Sequence, residues 1–431
     1  MGPEIIILVL SMCLLGSAAG CFTGLFPGLH VNTLASVMLI GYPSLSVLLS
    51  EMAGPGQVPI LVSSFIMSAA VVHSFTDFVP SVFIGAPDPD ESLATLPGHR
   101  LLMEGKGMEA VRAAAIGSAV GAAVSILLAV PLQYLMLNGL ADKLDSLTYC
   151  VLMFTLSVIV INERGSARKI WAVILILISG TLGAICMHGN IPSGGILGEG
   201  TLLFPLLTGL FGMPALLSSS KGAVIPEQTD DVHDPAGFLP AVKGIIMGCL
   251  AGWYPGITAT AGASIASSLI PENNPAKFIS MVASIGTVTT VFSLVTLSVS
   301  GSGRSGTVLV VKDIVGDSIY GFCSAEFLLL LLSVAVATVV GYYATIASGK
   351  MMGRLAGNVD VTKMNRTVMI IVSLLVLLLT GPYGIFILII SAIIGMIPQS
   401  EGMDRIPLTG CLILPTLLSE MGLLEGFMSF M

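Results

Sequence analysis

Apolar runs long enough to cross a lipid bilayer follow one another along most of this chain, and no water-soluble core can absorb them. They lie at about 5–26, 31–50, 59–84, 113–139, 147–162, 170–187 and 199–217, then at 240–268, 278–300, 322–347, 367–380, 382–398 and 407–430. A helix needs roughly 20 apolar residues to span the hydrocarbon layer, and lipid offers no partner to an unpaired backbone group. The runs therefore predict an all-α polytopic membrane bundle of about 10–12 transmembrane helices, some of them broken or re-entrant. With 10% charged residues and a mean hydropathy of +0.97, too little polar surface exists for any other solution. The first run has no basic leader and no cleavage site, so it reads as a membrane helix rather than a removable signal.

Several function classes drop out. A net charge of −8 without a basic block excludes nucleic acid. The seven cysteines are scattered through apolar runs without metal-ligand spacing, and read as small packing residues. The GILGEG stretch at 195–200 lacks the Lys-Ser/Thr of a phosphate loop, and no G-x-S-x-G elbow occurs. An intramembrane enzyme needs a paired catalytic set, whereas Asp77 is the single plausible deep carboxylate. No enzyme, metal or cofactor is expected. Basic residues around 99–112, 164–169 and 350–366 place those loops on the cytoplasmic side of a cell-membrane protein.

The organising signal is internal. Residues 20–36, GCFTGLFPGLHVNTLAS, align without gaps on residues 248–264, GCLAGWYPGITATAGAS, with identity at seven of seventeen positions. The stretch from Phe65 resembles that from Phe278, and LTGLFGMPALL at 207–217 resembles LTGCLILPTLL at 408–418. Three pairs in one order divide the chain into a first membrane repeat at 1–220, an acidic linker at 221–237 and a second repeat at 238–431.

Each repeat carries a Pro-Gly near its start, Pro27-Gly28 and Pro255-Gly256. A helix interrupted there leaves carbonyls unpaired before the break and N–H groups after it. The new N-terminus offers partial positive charge to an anion at membrane depth. His30, Asn32, Thr33 and Ser36 follow the first break, and Thr258, Thr260 and Ser264 follow the second. These side chains can hydrogen-bond a carboxylate or coordinate a cation; alternatively, small residues there simply let helices approach closely. Asp77, with Thr76 beside it, is the candidate coupling site for a proton or sodium ion, with Thr287 in the matching part of the second repeat. A loop end at the interface is the other reading of Asp77. Arg304, in SVSGSGRSG, is either an anion partner or an interfacial anchor.

The segments TGLFPGLHVNTLAS, FIGAPDPDESLATLPGHRLLMEGKGMEAVRAAAIGSAVG and GWYPGITATAGAS resemble the permease subunit of the tripartite tricarboxylate transporter family, and more closely its archaeal branch of unknown function. The matching features are Pro27-Gly28, Gly85-Ala86-Pro87, Ala94, Gly98, Gly105-Lys106-Gly107 and Glu109-Ala110. The resemblance implies a large permease taking up carboxylates on an ion gradient, assisted by a small membrane subunit and an extracytoplasmic solute-binding protein. The His30-Val31-Asn32 sequence after the Pro-Gly departs from that pattern.

The residues and the resemblance together predict an ion-coupled secondary transporter of a small organic anion, coupled to sodium or protons, embedded in the bilayer as a single chain or a homo-oligomer. The alternative is a carrier of a lipid-linked phosphate such as a polyprenyl phosphate, which should present a lateral groove open to lipid with basic residues beside it. Inverted repeats are favoured over parallel ones because broken helices from opposite sides then meet near the midplane.

Overall fold

The computed structural model describes residues 3–26, 29–84, 95–196, 198–199, 201–218, 226–229, 238–254, 257, 259–269, 272–303, 305–355 and 361–430. The first half runs α1 (Pro3–Leu25), α2 (Val31–Ala53), α3 (Val58–Thr76), α4 (Phe78–Ile84), α5 (Thr95–Met103), α6 (Gly107–Leu135), α7 (Ala141–Ser146), α8 (Thr148–Asn162), α9 (Ser166–His188), α10 (Leu203–Leu207) and α11 (Met213–Ser218). The second runs α12 (Leu239–Trp253), α13 (Ala259–Leu269), α14 (Pro275–Ser300), α15 (Gly306–Val315), α16 (Ala325–Leu355), α17 (Val361–Ser400), α18 (Gly410–Glu420) and α19 (Leu424–Phe430). A two-residue hairpin, Gly194–Gly195 against Gly198–Glu199, is the β structure among the described residues.

Eight of the described helical segments are long and apolar enough to cross a membrane, and four shorter apolar ones accompany them. The chain is a multi-pass membrane bundle. Burial sorts the helices: 89% of the most apolar window of the α3 span and 83% of that of α14 are inside the protein, against 6% for α2. Hence α3 and α14 form the centre, and α2 lies largely against lipid.

What lets α1 approach α3 is a glycine every fourth residue. Gly16, Gly20 and Gly24 lie against the backbone of Phe65, of Ala69 and of His73. The second half repeats the seam, with Gly244, Gly248 and Gly252 against the carbonyls of Met281, Ile285 and Thr289. The offset is the same at all three places. It lies three residues beyond the one that pairs Phe65 with Phe278, so His73 corresponds to Thr289 and Asp77 to Ser293. Helices α3 and α14 are evenly rich in small apolar residues, and that leaves sequence comparison no punctuation with which to set the register.

Each half also takes its next packing partner from the other. Helix α6 lies on α14, with Gly117 against Ser280 and Gly121 against Ser284, and the Ser118 hydroxyl donates to the Ala283 carbonyl at 3.4 Å. Helix α16 lies on α3, where the Ser68 hydroxyl donates to the Ser333 carbonyl at 3.4 Å and Gly341 meets Phe75. The exchange recurs at the other end of the repeats: Gly209 faces Ser391 as Gly410 faces Ser179, and Gly395 meets Leu210 as Gly183 meets Cys411. Equivalent helices run in opposite directions. Gly349 near the end of α16 packs on Met108 and Val111 at the start of α6, and the Phe322 ring before α16 lies 5.7 Å from Tyr134 at the end of α6.

Helix α17 turns at Gly381 (φ 68°, ψ −164°), ahead of Pro382. Forty helical residues would reach about 60 Å, twice the hydrocarbon thickness. The element is therefore two crossings, as the runs 367–380 and 382–398 imply. In contrast α13, at 11 residues, reaches only about 16 Å. The described part of the acidic linker is tied to the α5–α6 turn: Thr229 N–H donates to the Gly105 carbonyl at 2.9 Å, and Gly107 N–H to Gln228 Oε1 at 2.9 Å.

Candidate functional site

Four elements converge beside the first repeat's interruption: the last turn of α1, the first of α2, the last of α3 and the N-terminus of α15. Gly24 makes the approach possible, because a Cβ there would collide with the Thr76 hydroxyl and come within 2.9 Å of the His73 carbonyl. His73, Thr76 and Asp77 are all buried. Asp77 closes α3, its N–H donating to the His73 carbonyl at 3.0 Å. The loop-end reading of Asp77 thus fits its place in the chain but not its surroundings, which are protein.

The hydrogen-bond network assigns the imidazole tautomers. The Thr23 hydroxyl donates to the Gly20 carbonyl at 3.1 Å and lies 3.0 Å from His73 Nδ1. Assigning that hydrogen to Gly20 makes His73 Nδ1 the donor to Thr23 and leaves Nε2 as the nitrogen without a hydrogen. His30 is the N-cap of α2, and its Nδ1 accepts from the Asn32 N–H at 3.1 Å. That leaves the ring hydrogen of His30 on Nε2. The two ring centroids stand 5.3 Å apart, tilted by 52°.

Asn32 joins the halves. Its Oδ1 accepts from the Thr307 N–H in the first turn of α15 at 2.9 Å, with Gly306 allowing the close approach. Ser305 caps that helix, its hydroxyl accepting from Val308 N–H at 3.3 Å and lying 3.0 Å from Thr307 Oγ1. The Asn32 carbonyl thus occupies the positive end of a helix dipole, the place a carboxylate oxygen would take. The hydroxyls of Ser36 and Thr76 turn back to backbone carbonyls, Asn32 at 3.0 Å and Val72 at 3.0 Å. Thr33 is half-buried.

Pro27, Gly28, Pro255, Gly256, Thr258, Arg304 and the Gly85-Ala86-Pro87 turn lie outside the described residues, as do the side chains of Thr260 and Ser264. In α14 the buried Thr287 hydroxyl donates to the Ala283 carbonyl at 3.1 Å. Thr289, at the position matching His73, donates to Ile285 at 2.8 Å and to the Gly248 carbonyl of the glycine seam at 3.3 Å. Sequence reading marked His73 only as a neighbour of Asp77 and did not single out Thr23 or Thr307; the four-residue spacing from His73 to Asp77 puts both on one helix face.

A separate lateral cavity of about 740 Å³ follows α17, open on one side and lined by Arg366, Met369, Leu374, Leu377, Pro382 and Ile385 among others. No residue of the histidine cluster lines it.

Interrupted helices around a buried polar cluster, within a bundle whose halves exchange packing partners, define a membrane carrier. The chain belongs to the tripartite tricarboxylate transporter TctA family, whose model matches residues 10–410. It is a multi-pass permease for the secondary transport of an organic anion, not an enzyme. It is 28% identical over 297 residues to an uncharacterised protein of Methanocaldococcus jannaschii, covering 68% of this chain and 70% of that protein. No solved structure matches it.

Proposed function

We propose that the chain carries a small carboxylate across the cell membrane by ion-coupled alternating access, with the anion received where the first interruption meets the N-terminus of α15. The observation that carries this reading is the Asn32 to Thr307 hydrogen bond, which ties the start of α2 to a helix N-terminus of the other half. His30, Asn32 and Thr33, with Pro27 and Gly28, form the first-half side of the site; Arg304, just before α15, is its cationic neighbour. Thr258, Thr260 and Ser264 after Pro255-Gly256 supply the second-half side. Asp77, Thr76 and Thr287 are the proposed ion-coupling set.

The units that rock against one another are 1–220 and 238–431, joined by 221–237. The opposite directions of α6 and α16 favour inverted repeats, in which one arrangement is reached from either side of the membrane. A small membrane subunit and an extracytoplasmic solute-binding protein are proposed to assist.

The test is uptake of labelled di- and tricarboxylates into proteoliposomes holding the purified chain, under imposed proton or sodium gradients. Gradient-dependent accumulation that falls at least tenfold in Asn32→Ala is the expected result. Accumulation without any dependence on Asn32 overturns the site. A second reading has its own observation: the lateral cavity with Arg366 at one end has the form a lipid-phosphate carrier requires. Competition by a short-chain polyprenyl phosphate, lost in Arg366→Gln, would favour it.

A further inference from the structure

We propose that His73, through Nε2, is the atom on which this carrier binds its transported proton, and that His30 is the positioning residue that keeps that proton beside the anion. The inference rests on the carrier reading above and deepens it, because it names the coupling ion and moves its binding atom from Asp77 to His73, one turn earlier on α3.

Three observations on the structure lead here. The pair is in ring contact at 5.3 Å, at the meeting point of α1, α2 and α3. The hydrogen bonds suit a different tautomer in each imidazole: with the Thr23 hydroxyl donating to Gly20, His73 donates from Nδ1 to Thr23, whereas the Asn32 N–H holds His30 Nδ1 as an acceptor. A proton added to His30 at Nδ1 would break the cap of α2. One added to His73 at Nε2 breaks none of these bonds. The third observation is the asymmetry of the repeats. Thr258 stands in place of His30, Thr289 in place of His73 and Ser293 in place of Asp77, so the titratable set exists once per chain. A purely structural role for the seam gives no reason for that difference, since Thr289 closes the second seam with a hydroxyl.

The step is simple protonation: imidazole and a proton give imidazolium, with Nδ1–H still on Thr23. One such pair per chain gives a stoichiometry of one proton per cycle. Asp77, four residues on, is the carboxyl that shares this face of the helix. The other titratable groups on the packed elements include Cys21 of α1, Tyr42 and Glu51 of α2, Lys312 and Asp313 of α15 and Lys350 of α16, with Arg304 just ahead of α15. The imidazolium lies one side chain away from Asn32 and the α15 N-terminus, so proton and anion each raise the affinity for the other.

The experiment uses the full chain in proteoliposomes with radiolabelled citrate and succinate as probes. Wild type should accumulate a probe under an inside-alkaline pH gradient without sodium, and a protonophore should abolish this. His73→Gln should lose proton-driven accumulation at least tenfold and weaken probe binding, because the imidazolium that favours the anion is gone. Wild-type monodispersity and Tm in detergent show that the variant folds. Accumulation driven by sodium alone, or proton-driven accumulation surviving in His73→Gln, overturns the assignment. If wild type neither accumulates nor exchanges any acid, the carboxylate reading fails, and the proton site is judged separately. With ¹⁵N-histidine in nanodiscs, His30 and His73 should respond in one titration, and His73→Gln should alter the His30 response but not that of His188. Independent titration of the two rings overturns the inference whatever transport does.

Discussion

The two ends of the molecule's central pair, α3 and α14, carry the same seam and different chemistry. In both, three glycines four residues apart let a neighbouring helix reach backbone contact. At the end of the first seam come His73, Thr76 and Asp77; at the matching place in the second come Thr289, Phe292 and Ser293. Backbone geometry is shared because both halves must build the same interrupted-helix frame. Titratable chemistry is not: the proposed proton site belongs to the first half alone. Hydroxyls in the second half also take up packing work: Ser284, Thr289 and Thr296 donate to the carbonyls of Ala241, Gly248 and Gly252 on α12. In the first half the facing residues hold each other instead, through Thr23 and His73.

The seams themselves offer the strongest test of this likeness. A methyl at Gly20 meets the backbone carbonyl of Ala69, which cannot step aside, whereas at Gly248 it meets the Val288 side chain, 2.5 Å away. Gly20→Ala should cost about 3 kcal/mol or prevent folding altogether, the upper range of overpacking. Gly248→Ala should cost about 1–2 kcal/mol and be partly restored by adding Val288→Gly, which removes the Cβ it meets. Thermal denaturation in detergent, read by monodispersity, checks both. Equal damage at the two glycines, with no rescue, would show that the seams are not alike in the way their contacts indicate.

A smaller effect is expected where the halves touch. Asn32→Asp places a carboxylate on the Thr307 N–H, at the positive end of α15. A fixed anion there should stabilise the fold by about 0.3–1 kcal/mol. The same charge competes with a carboxylate substrate, so probe affinity should fall about tenfold. Thr260→Asp, on the second-half side, should lower affinity without a matching gain in stability. If Asn32→Asp stabilises and leaves affinity untouched, the anion binds elsewhere and Asn32 is only a strut.

What could be read beforehand follows the same division. The Pro-Gly interruptions and the 207–217 and 408–418 pair were legible because Pro, Gly and Thr punctuate them; Thr208 and Gly209 do occupy the positions of Thr409 and Gly410 in mirrored contacts. The two crossings of α17 were legible for the same reason, at Gly381-Pro382. The register of α3 against α14 was not, since the Pro, Gly and Thr of the two helices fall at different places. Nor was the meeting of Asn32 with Thr307, because 275 residues separate them and neither is unusual alone. His73 stood in view as a neighbour of Asp77, but its partner Thr23 lies fifty residues back, on another helix. Helix direction in the two halves was invisible for a further reason: the basic loops are few, and several segments are too short for counting crossings to decide.

The mildest difference lies where each half leads into its last repeated helix. The first half approaches through Gly194–Glu199, a glycine-rich hairpin; the second approaches through Glu401, Gly402, Met403, Asp404 and Arg405. Gly402 lies beside Arg168, which brings this charged turn against the α8–α9 turn and Glu163. Burial pushes the Glu163 carboxyl up from its ordinary range, the charge of Asp404 adds to that, and Arg168 opposes it. Burial likewise raises Asp404, against the pull of Arg405 and Arg168. The Asp404 side chain is nonetheless exposed by area, so solvent screens much of the effect and the direction alone carries weight. A carboxyl raised on folding binds its proton more tightly in the folded state. Stability is therefore lowest above the raised value and recovers as pH falls through it towards the ordinary carboxylate range. Tm measured from pH 7 down to pH 5 should rise by about a degree or two at this site's expense. Glu163→Gln should raise Tm at pH 7 and flatten that slope, because the variant no longer has a charge to bury. A slope that steepens instead would mean that Arg168 outweighs burial, and that the second half's charged turn is an ion pair rather than a strained meeting of acids.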